Sequence, residues 1–350
     1  MATPLEDEIR RRIETAGALT VADYMQLCLG HPAHGYYVTR DPLGQSGDFI
    51  TAPEISQMFG ELIGLWFADL ALRAGAGATA AYVELGPGRG TLAVDALRAM
   101  ARAGLAPPVH FVETSTVLRE AQRTAVPHAH WHEDVRTLPT DRPLIIIANE
   151  FFDALPIHQY QRTARGWRER MVAGDPPRLL PGEVDCADAI PIQLADAPLG
   201  AIVERNEAGE AAMAVLARRI AAQGGALLVI DYGYEGPATG DTLQAMKDHR
   251  YADPLAEPGT RDLTAHVDFA MLAAVGRANG LRPTPCVGQG AFLIALGIDA
   301  RAAALARANP ARADEVAGAR VRLVDPSAMG TLFKALALRH TDWPQPAGFA

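Results

Sequence analysis

A glycine-rich turn at residues 84–90 (ELGPGRG) is the segment of this sequence best suited to binding a ligand. It follows a short apolar run at 81–85 and precedes a stretch with helical spacing that begins at Thr91. Glycines let the main chain turn sharply and approach a ligand closely, and the first N–H groups of a helix are free to bind one. A turn that only joins a strand to a helix is the alternative explanation.

The glycine spacing separates the possible ligands. A dinucleotide fingerprint requires G-x-G-x-x-G, whose third glycine would fall at Thr91, and a P-loop is excluded because no Gly-Lys-Ser/Thr follows. The observed G-x-G-x-G, with an acidic residue two places before it, resembles motif I of class I methyltransferases, which bind S-adenosylmethionine. By that resemblance Glu84 helps to hold the cationic amine of the cofactor. The loop residues that would contact the cofactor are Gly86, Pro87, Gly88 and Gly90.

Acidic residues also end the next two predicted strands. Glu113 closes the run VHFVE, where a carboxylate can accept hydrogen bonds from both ribose hydroxyls of a nucleoside. A charge at the N-terminus of the following helix is the alternative role, because Thr114 and Ser115 begin that helix. The preceding glycines favour the ribose role. Asp134 ends the third strand candidate, where this class of fold often contacts adenine.

Strands and helices alternate around these residues. Strand candidates at 81–85, 109–113, 144–148 and 226–233 are separated by segments with helical spacing. The run at 144–148 lacks polar alternation, which is typical of a strand covered on both faces. The pattern predicts an α/β fold with a doubly wound, mostly parallel, Rossmann-like sheet. Such sheets bind ligands at the carboxyl ends of their strands. Residues 281–298 are predicted to form two closing strands, as a hairpin.

The same pattern predicts how the chain is divided. Residues 1–79 form an N-terminal helical segment with a pocket-lining loop, residues 80–338 form the cofactor-binding domain, and residues 339–350 form a C-terminal tail. Segments at about 157–205 and 234–263 do not fit the alternation and are interpreted as inserts over the active-site edge of the sheet.

Composition excludes several classes of protein. Hydrophobic residues make up 49% and charged residues 21%, which suits a globular core, and a net charge of -9 argues against nucleic-acid binding. No apolar run reaches the ~20 residues of a membrane span. The three cysteines are far apart, so neither a disulfide framework nor a zinc ribbon is expected. The charged start lacks a signal-peptide core, which predicts a cytoplasmic protein.

With these motifs in place, the chain resembles the MidA-like family, which includes a mitochondrial complex I assembly factor that is a protein-arginine methyltransferase. The resemblance implies a seven-stranded class I methyltransferase sheet, S-adenosylmethionine as the cofactor and arginine of a protein partner as the substrate. The matching segments span nearly the whole chain: SGDFITAPEISQMFGE (46–61), VELGPGRGTLAVDAL (83–97), ANEFFDALPIHQ (148–159), LLVIDYG (227–233), RDLTAHVDF (261–269), QGAFLIALGI (289–298) and DPSAMGTLFKALAL (325–338).

Two segments depart from the family pattern. Residues 203–208 (VERNEA) lack the expected Ser-Pro, and Met246-Lys247 replaces an aromatic-plus-basic pair. These departures weaken the transfer of substrate identity more than that of cofactor. A respiratory complex I subunit is one candidate substrate, and a homodimer is one candidate assembly. A non-catalytic assembly factor or chaperone that binds S-adenosylmethionine, and less favourably an NAD-dependent oxidoreductase, are the alternatives.

The segment NEFFD (149–153) holds the first catalytic candidates. A guanidinium is a poor nucleophile because its pKa exceeds ~12, and carboxylates can orient it and stabilise its charge as a proton leaves. We therefore expect Glu150 and Asp153 to hold the substrate nitrogen, with Phe151 and Phe152 as walls and Asn149 on the cofactor side. A cofactor ligand or a helix N-terminal charge is the alternative role for Glu150.

Further candidates lie elsewhere in the chain. Asp231 ends another buried strand and could face the pocket, and His266 is either catalytic or a packing histidine. The polar segment GDFITAPEIS (47–56) is expected by resemblance to line the pocket. Its candidate residues are Asp48, Thr51 and Glu54. The alternating histidines at 128, 130 and 132 would share one strand face, but no further ligands support a metal site, and no metal is expected.

Overall fold

The structure, a computed structural model, describes residues 3–39 and 50–349. The chain divides into two compact units. The first comprises Met1–Phe49, Phe152–Ala211 and Tyr234–Met271, and the second comprises Ile50–Phe151, Ala212–Gly233 and Leu272–Ala350. The division crosses the predicted N-terminal segment at residue 50, and the segments predicted as inserts fall wholly in the first unit.

Helices and strands are numbered in chain order. The helices are α1 Pro4–Ala16, α2 Val21–Gly30, α3 Tyr36–Thr39, α4 Ala52–Ile55, α5 Gln57–Arg73, α6 Thr91–Arg102, α7 Thr116–Ala125, α8 Glu207–Gln223, α9 Phe269–Ala278, α10 Gln289–Ala295, α11 Ile298–Ala308, α12 Ala313–Val324 and α13 Met329–Leu332. The strands are β1 Leu19–Thr20, β2 Ala81–Leu85, β3 Val109–Val112, β4 His130–His132, β5 Leu144–Asn149, β6 His158–Thr163, β7 Gly166–Ala173, β8 Arg178–Asp185, β9 Ile202–Arg205, β10 Gly225–Tyr234, β11 Gln244–Lys247, β12 Arg250–Ala252, β13 Asp262–Thr264, β14 Val267–Asp268, β15 Arg282–Pro283, β16 Val287–Gly288 and β17 Phe333–Arg339.

The second unit is built on a mixed sheet. Its main path runs β4-β3-β2-β5-β10-β17-β15. The pairs from β4 to β10 are parallel, and β17 pairs antiparallel with both β10 and β15. Every residue of β2 and β5 is buried, because helices cover both faces, as their apolar sequences predict. The strand order reverses between β2 and β5, and this is where a doubly wound sheet opens a crevice for a ligand.

The predicted closing hairpin at 281–298 is wrong. Only the two-residue strands β15 and β16 lie there, and the apolar run from Gln289 forms helix α10. The closing strand is β17, which pairs antiparallel with β10 from Ala226 to Tyr232. A short apolar run does not separate a buried helix from a strand by periodicity, and here the run is a buried helix.

The predicted C-terminal tail takes part in the core of the second unit. Arg339 ends β17, while Trp343 and Phe349 are buried with the residues of α5 and α10. The Phe349 ring lies 5.0 Å from that of Phe292, measured between centroids. The last residues therefore contribute apolar burial to this unit.

Helices α5 and α6 pack closely because α5 presents glycines to its neighbour. A Cβ on Gly60 would lie 2.7 Å from Cβ of Asp95, and one on Gly64 would overlap the carbonyl oxygen of Ala96 and lie 2.6 Å from its Cα. Backbone cannot rotate away as a flexible side chain can. The contact at Gly64 therefore fixes the separation of the two helices.

Substitution Gly64→Ala is expected to destabilise the protein by about 3 kcal/mol, because the new methyl group forces α5 and α6 apart in a close-packed core. Urea unfolding monitored by circular dichroism measures the change. Gly318→Ala in α12 is the matched control, since a Cβ there meets nothing within 4 Å. Equal stability of the two variants would contradict the packing argument.

A buried carboxylate connects three helices of the same unit. Glu61 of α5 is 3% exposed, and its oxygens accept hydrogen bonds from Arg301 of α11 at 2.6 and 2.9 Å and from Arg98 of α6 at 3.2 Å. Although burial opposes ionisation, these arginines hold the pKa of Glu61 below its usual range. The carboxylate is therefore charged and links α5, α6 and α11.

The first unit contains two small antiparallel sheets and the N-terminal helices. One sheet runs β1-β7-β6-β9, with β8 on β7, and the other runs β12-β11-β13. Strands β6 and β7 form an antiparallel hairpin that turns before Gly166. Helix α9 begins at Phe269, where Asp268 accepts the N–H of Met271 and caps the helix.

Candidate functional site

The glycine loop follows β2 and needs its glycines for conformation. Gly86, Gly88 and Gly90 have φ values of +57°, +56° and +83°, a region that other L-residues rarely adopt. The Gly86 N–H donates to the Val112 carbonyl at 3.0 Å and the Gly90 N–H to that of Pro87 at 2.8 Å. The loop therefore turns sharply against the end of β3 and leads into α6, as the motif predicts.

Glu84 lies at the end of β2 with a buried side chain. Its carboxylate accepts a hydrogen bond from the Tyr82 hydroxyl at 2.7 Å. Burial raises the pKa of Glu84 from its ordinary value of 4.5 to about 8, and the tyrosine hydroxyl offsets only part of that rise. This carboxyl is therefore protonated at neutral pH until a cation approaches it.

Glu113 follows β3 and is held from two sides. One carboxylate oxygen accepts the backbone N–H of Ser115 at 2.7 Å, and the other accepts the side-chain amide of Gln122 at 3.2 Å. Burial raises the pKa of Glu113, and these donors counteract the rise. Arg119 also donates to the main-chain carbonyl of Glu113 at 2.9 Å. The residue is thus fixed in both backbone and side chain.

Asp134 caps a short 3-10 turn after β4. Its oxygens bind the Arg136 guanidinium at 2.9 Å, and this ion pair lowers the pKa of Asp134 to about 2. Asp134 also accepts the backbone N–H of Arg136 at 2.8 Å. The side chain is engaged within its own turn.

Asn149 and Glu150 end β5 with an unusual backbone. Glu150 has φ +50°, a strained conformation for a residue with a side chain, and such strain is found preferentially at functional positions. One Glu150 oxygen accepts the Ala52 backbone N–H and the Asn149 side-chain amide, each at 3.2 Å. The buried Asn149 Oδ1 has no hydrogen-bond partner within the described chain, which suits a donor on a ligand.

The segment at 50–56 contacts these residues and the start of α6. Thr51 precedes α4, and the Glu54 carboxylate accepts a hydrogen bond of 2.5 Å from the hydroxyl of Thr91, the first residue of α6. Asp48 lies outside the described residues. The two described candidates therefore lie near the glycine loop and the Glu150 carboxylate.

Asp231 ends the buried part of β10 and is fully inaccessible to solvent. Its two oxygens accept the backbone N–H groups of Phe151 at 3.2 Å and Tyr232 at 2.9 Å. The Phe151 ring lies beside the glycine loop, since a Cβ on Gly86 would be 3.3 Å from it. Asp231 therefore positions Phe151 through its main chain.

Asp153 and His266 belong to the first unit. The Asp153 carbonyl accepts the Ala265 N–H at 2.9 Å, and the His266 N–H donates to the Thr242 hydroxyl at 2.9 Å. Burial lowers the pKa of His266, so this histidine is neutral at physiological pH. The structure thus groups these two candidates with each other, and Glu150 and Asp231 with the glycine loop.

The histidines at the β4 edge form a cluster with a partner that the sequence did not indicate. Nδ1 of His110 lies 3.0 Å from Nε2 of His132, and the rings of His110 and His130 stack with centroids 5.1 Å apart. Burial and the neighbouring histidines lower the pKa of His110 to about 4. Across residues 3–39 and 50–349, no group of three or more His, Cys, Asp or Glu side chains is arranged to hold a metal ion.

The glycine loop lies at the switch point of a doubly wound sheet, and carboxylates follow β2 and β3. These features are typical of a protein with the methyltransferase fold that binds a nucleoside cofactor. A sequence model of the family described as putative S-adenosyl-L-methionine-dependent methyltransferase matches residues 62–286, and this chain belongs to that family.

Relatives and solved structures agree with this assignment. Protein arginine methyltransferase NDUFAF7 of Mus musculus is 37% identical over 96% of this chain and 84% of its own length, and that of Homo sapiens is 36% identical over 96% and 83%. A likely methyl transferase from Burkholderia thailandensis, solved with S-adenosyl-homocysteine, superposes with a TM-score of 0.88 at 27% identity. The superposition covers 98% of this chain and 93% of the chain in that structure.

The expectation of a cytoplasmic protein is wrong by the same comparisons. The NDUFAF7 relatives that match 96% of this chain are named as mitochondrial proteins. The expectation rested on the composition of the first residues, which describes the segment and does not fix a compartment. Within the described part of the chain, no helix has the length and apolar character needed to cross a membrane.

Proposed function

We propose that this chain binds S-adenosylmethionine at the carboxyl ends of β2, β3 and β5 and transfers its methyl group to an arginine of a protein substrate. The observation that carries the proposal is the glycine loop held beside the buried carboxylates of Glu84 and Glu113, in a chain of a methyltransferase family. The cofactor supplies a methyl group already activated by a sulfonium. The protein therefore has to bind the cofactor and the substrate, orient them for transfer and exclude water.

The cofactor roles follow from the chemistry of each group. Glu84, once ionised, would neutralise the amine of the cofactor, and Glu113 would accept the ribose hydroxyls. Asn149 Oδ1 would accept a hydrogen bond from the cofactor, which would give this buried oxygen a partner. Asp134 would shape the adenine end through the turn that it caps. The loop residues Gly86, Pro87, Gly88 and Gly90 would pack against the methionine and ribose.

The substrate roles differ among the acidic candidates. Glu150 is half-buried on a strained backbone and is our choice for orienting the guanidinium. Asp231 would act as a positioning residue, because its oxygens already accept main-chain N–H groups. Asp153 and His266 would be further catalytic residues, because a carboxylate and a neutral imidazole can both accept a proton.

Three further proposals concern the number of strands in the sheet, the identity of the protein substrate and the oligomeric state. The sheet of the second unit would be the seven-stranded class I methyltransferase sheet, and the substrate would be a respiratory complex I subunit. A homodimer would be the assembled form. The curated relatives support the protein substrate, since they are named protein arginine methyltransferases.

Isothermal titration calorimetry on the purified protein tests the cofactor directly. S-Adenosylhomocysteine is expected to release heat with a Kd in the micromolar range or below, whereas NADH is expected to give none. Incubation of a respiratory-complex extract with S-adenosylmethionine labelled in its methyl group, followed by mass spectrometry, then locates the label, which is expected on arginine. Cofactor binding without labelling would indicate a non-catalytic assembly factor. No binding would refute the proposal.

A further inference from the structure

Gln122 of α7 is a fully buried glutamine with three hydrogen bonds to separate segments of the second unit. Its Nε2 donates to the carbonyl of Gly88 at 2.7 Å and to a carboxylate oxygen of Glu113 at 3.2 Å. Its Oε1 accepts the indole N–H of Trp131 at 2.8 Å. One side chain thus joins the glycine loop, the end of β3 and strand β4.

The indole fixes which way the amide points. Trp131 can only donate, so Oε1 must face it, and the two N–H groups of Gln122 must then face Gly88 and Glu113, which can both accept. The indole is itself held in place. The Arg123 guanidinium lies 5.4 Å from the ring centroid, and the Phe111 ring makes an edge contact at 6.1 Å. The orientation of the amide is therefore set by β4.

Helix α7 holds Glu113 from a second position as well. Arg119, one turn before Gln122, donates to the main-chain carbonyl of Glu113 through both Nε and Nη2, at 2.9 and 2.5 Å. The backbone of Glu113 is therefore fixed by Arg119, and its carboxylate is fixed by Gln122. Of the two residues, only Gln122 also reaches the glycine loop.

We propose that Gln122 is a positioning residue for the cofactor, which sets the distance between the glycine loop and the ribose-binding carboxylate by holding Gly88 and Glu113 with one amide. The inference rests on the proposed function, because it assumes that this loop and this carboxylate bind S-adenosylmethionine. Gln122 acts through these two groups and takes no part in the transfer of the methyl group.

Loss of the amide should weaken binding rather than chemistry. Substitution Gln122→Met keeps the length of the side chain but leaves three buried polar groups without their partner, and such groups are costly. The loop and the carboxylate would then relax independently. We expect KM for S-adenosylmethionine to rise about tenfold or more while kcat changes less than about threefold, as for removal of a binding interaction.

A pH profile separates this role from a merely structural one. The Gln122 amide counteracts the rise that burial causes in the pKa of Glu113. Its removal should raise that pKa further. In a Glu84→Gln background, where position 84 no longer titrates, the loss of cofactor affinity on acidification should therefore begin at a higher pH with Gln122→Met than with Gln122 intact. A general loss of packing would lower affinity without moving this limb of the profile.

The experiment is calorimetric titration of S-adenosylhomocysteine into wild type, Gln122→Met, Trp131→Phe and the matched control Gln289→Met. Gln289 is equally buried and donates to the Leu323 carbonyl, which links α10 to α12. Gln122→Met is expected to lose about tenfold in affinity, Trp131→Phe about threefold because the amide can then rotate, and the control less than about twofold.

Each outcome decides the question. Wild-type affinity in Gln122→Met, or an equal loss in Gln289→Met, overturns the positioning role. If Gln122→Met does not fold, Trp131→Phe decides alone, and unchanged affinity with an unchanged pH profile overturns the proposal. Failure of the wild type to bind S-adenosylhomocysteine refutes the proposed function itself and is distinguished from these results because it needs no variant.

Discussion

Substitution Glu150→Gln is expected to lower kcat for methyl transfer by about 100- to 1,000-fold while affinity for S-adenosylhomocysteine stays within about threefold of wild type. A guanidinium becomes nucleophilic only as it loses a proton, and the Glu150 carboxylate would stabilise its charge while that happens. Single-turnover assays with a labelled methyl group, together with calorimetry, measure the two quantities.

The substitution Glu150→Gln removes the negative charge and preserves the hydrogen bonds that the side chain accepts. The carboxamide can still accept the Ala52 N–H and the Asn149 amide through its own oxygen, so the segment at 50–56 keeps its anchor. Glu120→Gln is the matched control, because that carboxylate is exposed on α7 and pairs only with Arg123 among the ion pairs of the described chain. Turnover at the wild-type rate in Glu150→Gln would remove Glu150 from the catalytic role.

Affinity for S-adenosylhomocysteine is expected to rise about tenfold per pH unit between about pH 5.5 and 7.5. Burial raises the pKa of Glu84 to about 8, so the unliganded protein carries a protonated carboxyl throughout this range. The proposed contact with the cationic amine of the ligand requires the ionised form of Glu84, so binding would release a proton. Calorimetry in buffers of different ionisation enthalpy measures both the affinity and the number of protons released.

The raised pKa of Glu84 also determines how the stability of the unliganded protein changes with pH. The folded pKa of Glu84 lies above its ordinary value of 4.5, so between about pH 4.5 and 8 the folded state binds more protons than the unfolded state. This group therefore makes the unliganded protein less stable as pH rises through that window. The cofactor would reverse part of the loss, because it binds the ionised form.

Two variants test the origin of the pH dependence. Glu84→Gln should give a much flatter profile, because position 84 no longer titrates. Tyr82→Phe removes the hydroxyl that donates to Glu84 at 2.7 Å, so the rise in affinity should move to higher pH. A wild-type profile that is flat, or one that Glu84→Gln leaves unchanged, would show that this carboxyl does not meet the amine.

The strands β2 and β5 and the glycine loop of the second unit could be predicted from the sequence, because each depends on residues that are adjacent in the chain. The runs AYVEL and LIIIAN are largely apolar and are buried throughout. The glycine spacing likewise predicted a loop whose three glycines all have positive φ. Each of these features is decided by residues that are neighbours in the chain.

Other features depend on segments far apart in sequence. The division into two units joins residues 152–211 and 234–271 to the N-terminal helices, and no periodicity records which distant segments pack together. Gln122 was missed for a similar reason, since it is one polar residue in a polar helix until Gly88, Glu113 and Trp131 are brought around it. His110 became part of a histidine cluster only through strand pairing.

The ion pairs around Glu61 couple positions 61, 98 and 301, so that a change at one position affects the other two. An apolar replacement at position 61 would leave Arg301 without this carboxylate and Arg98 with only Asp95, and loss of either arginine would leave the buried carboxylate less well balanced. Single steps away from this combination are therefore costly in both directions. Redesign of α5, α6 or α11 has to exchange all three residues at once, and natural drift at these sites should be correspondingly slow.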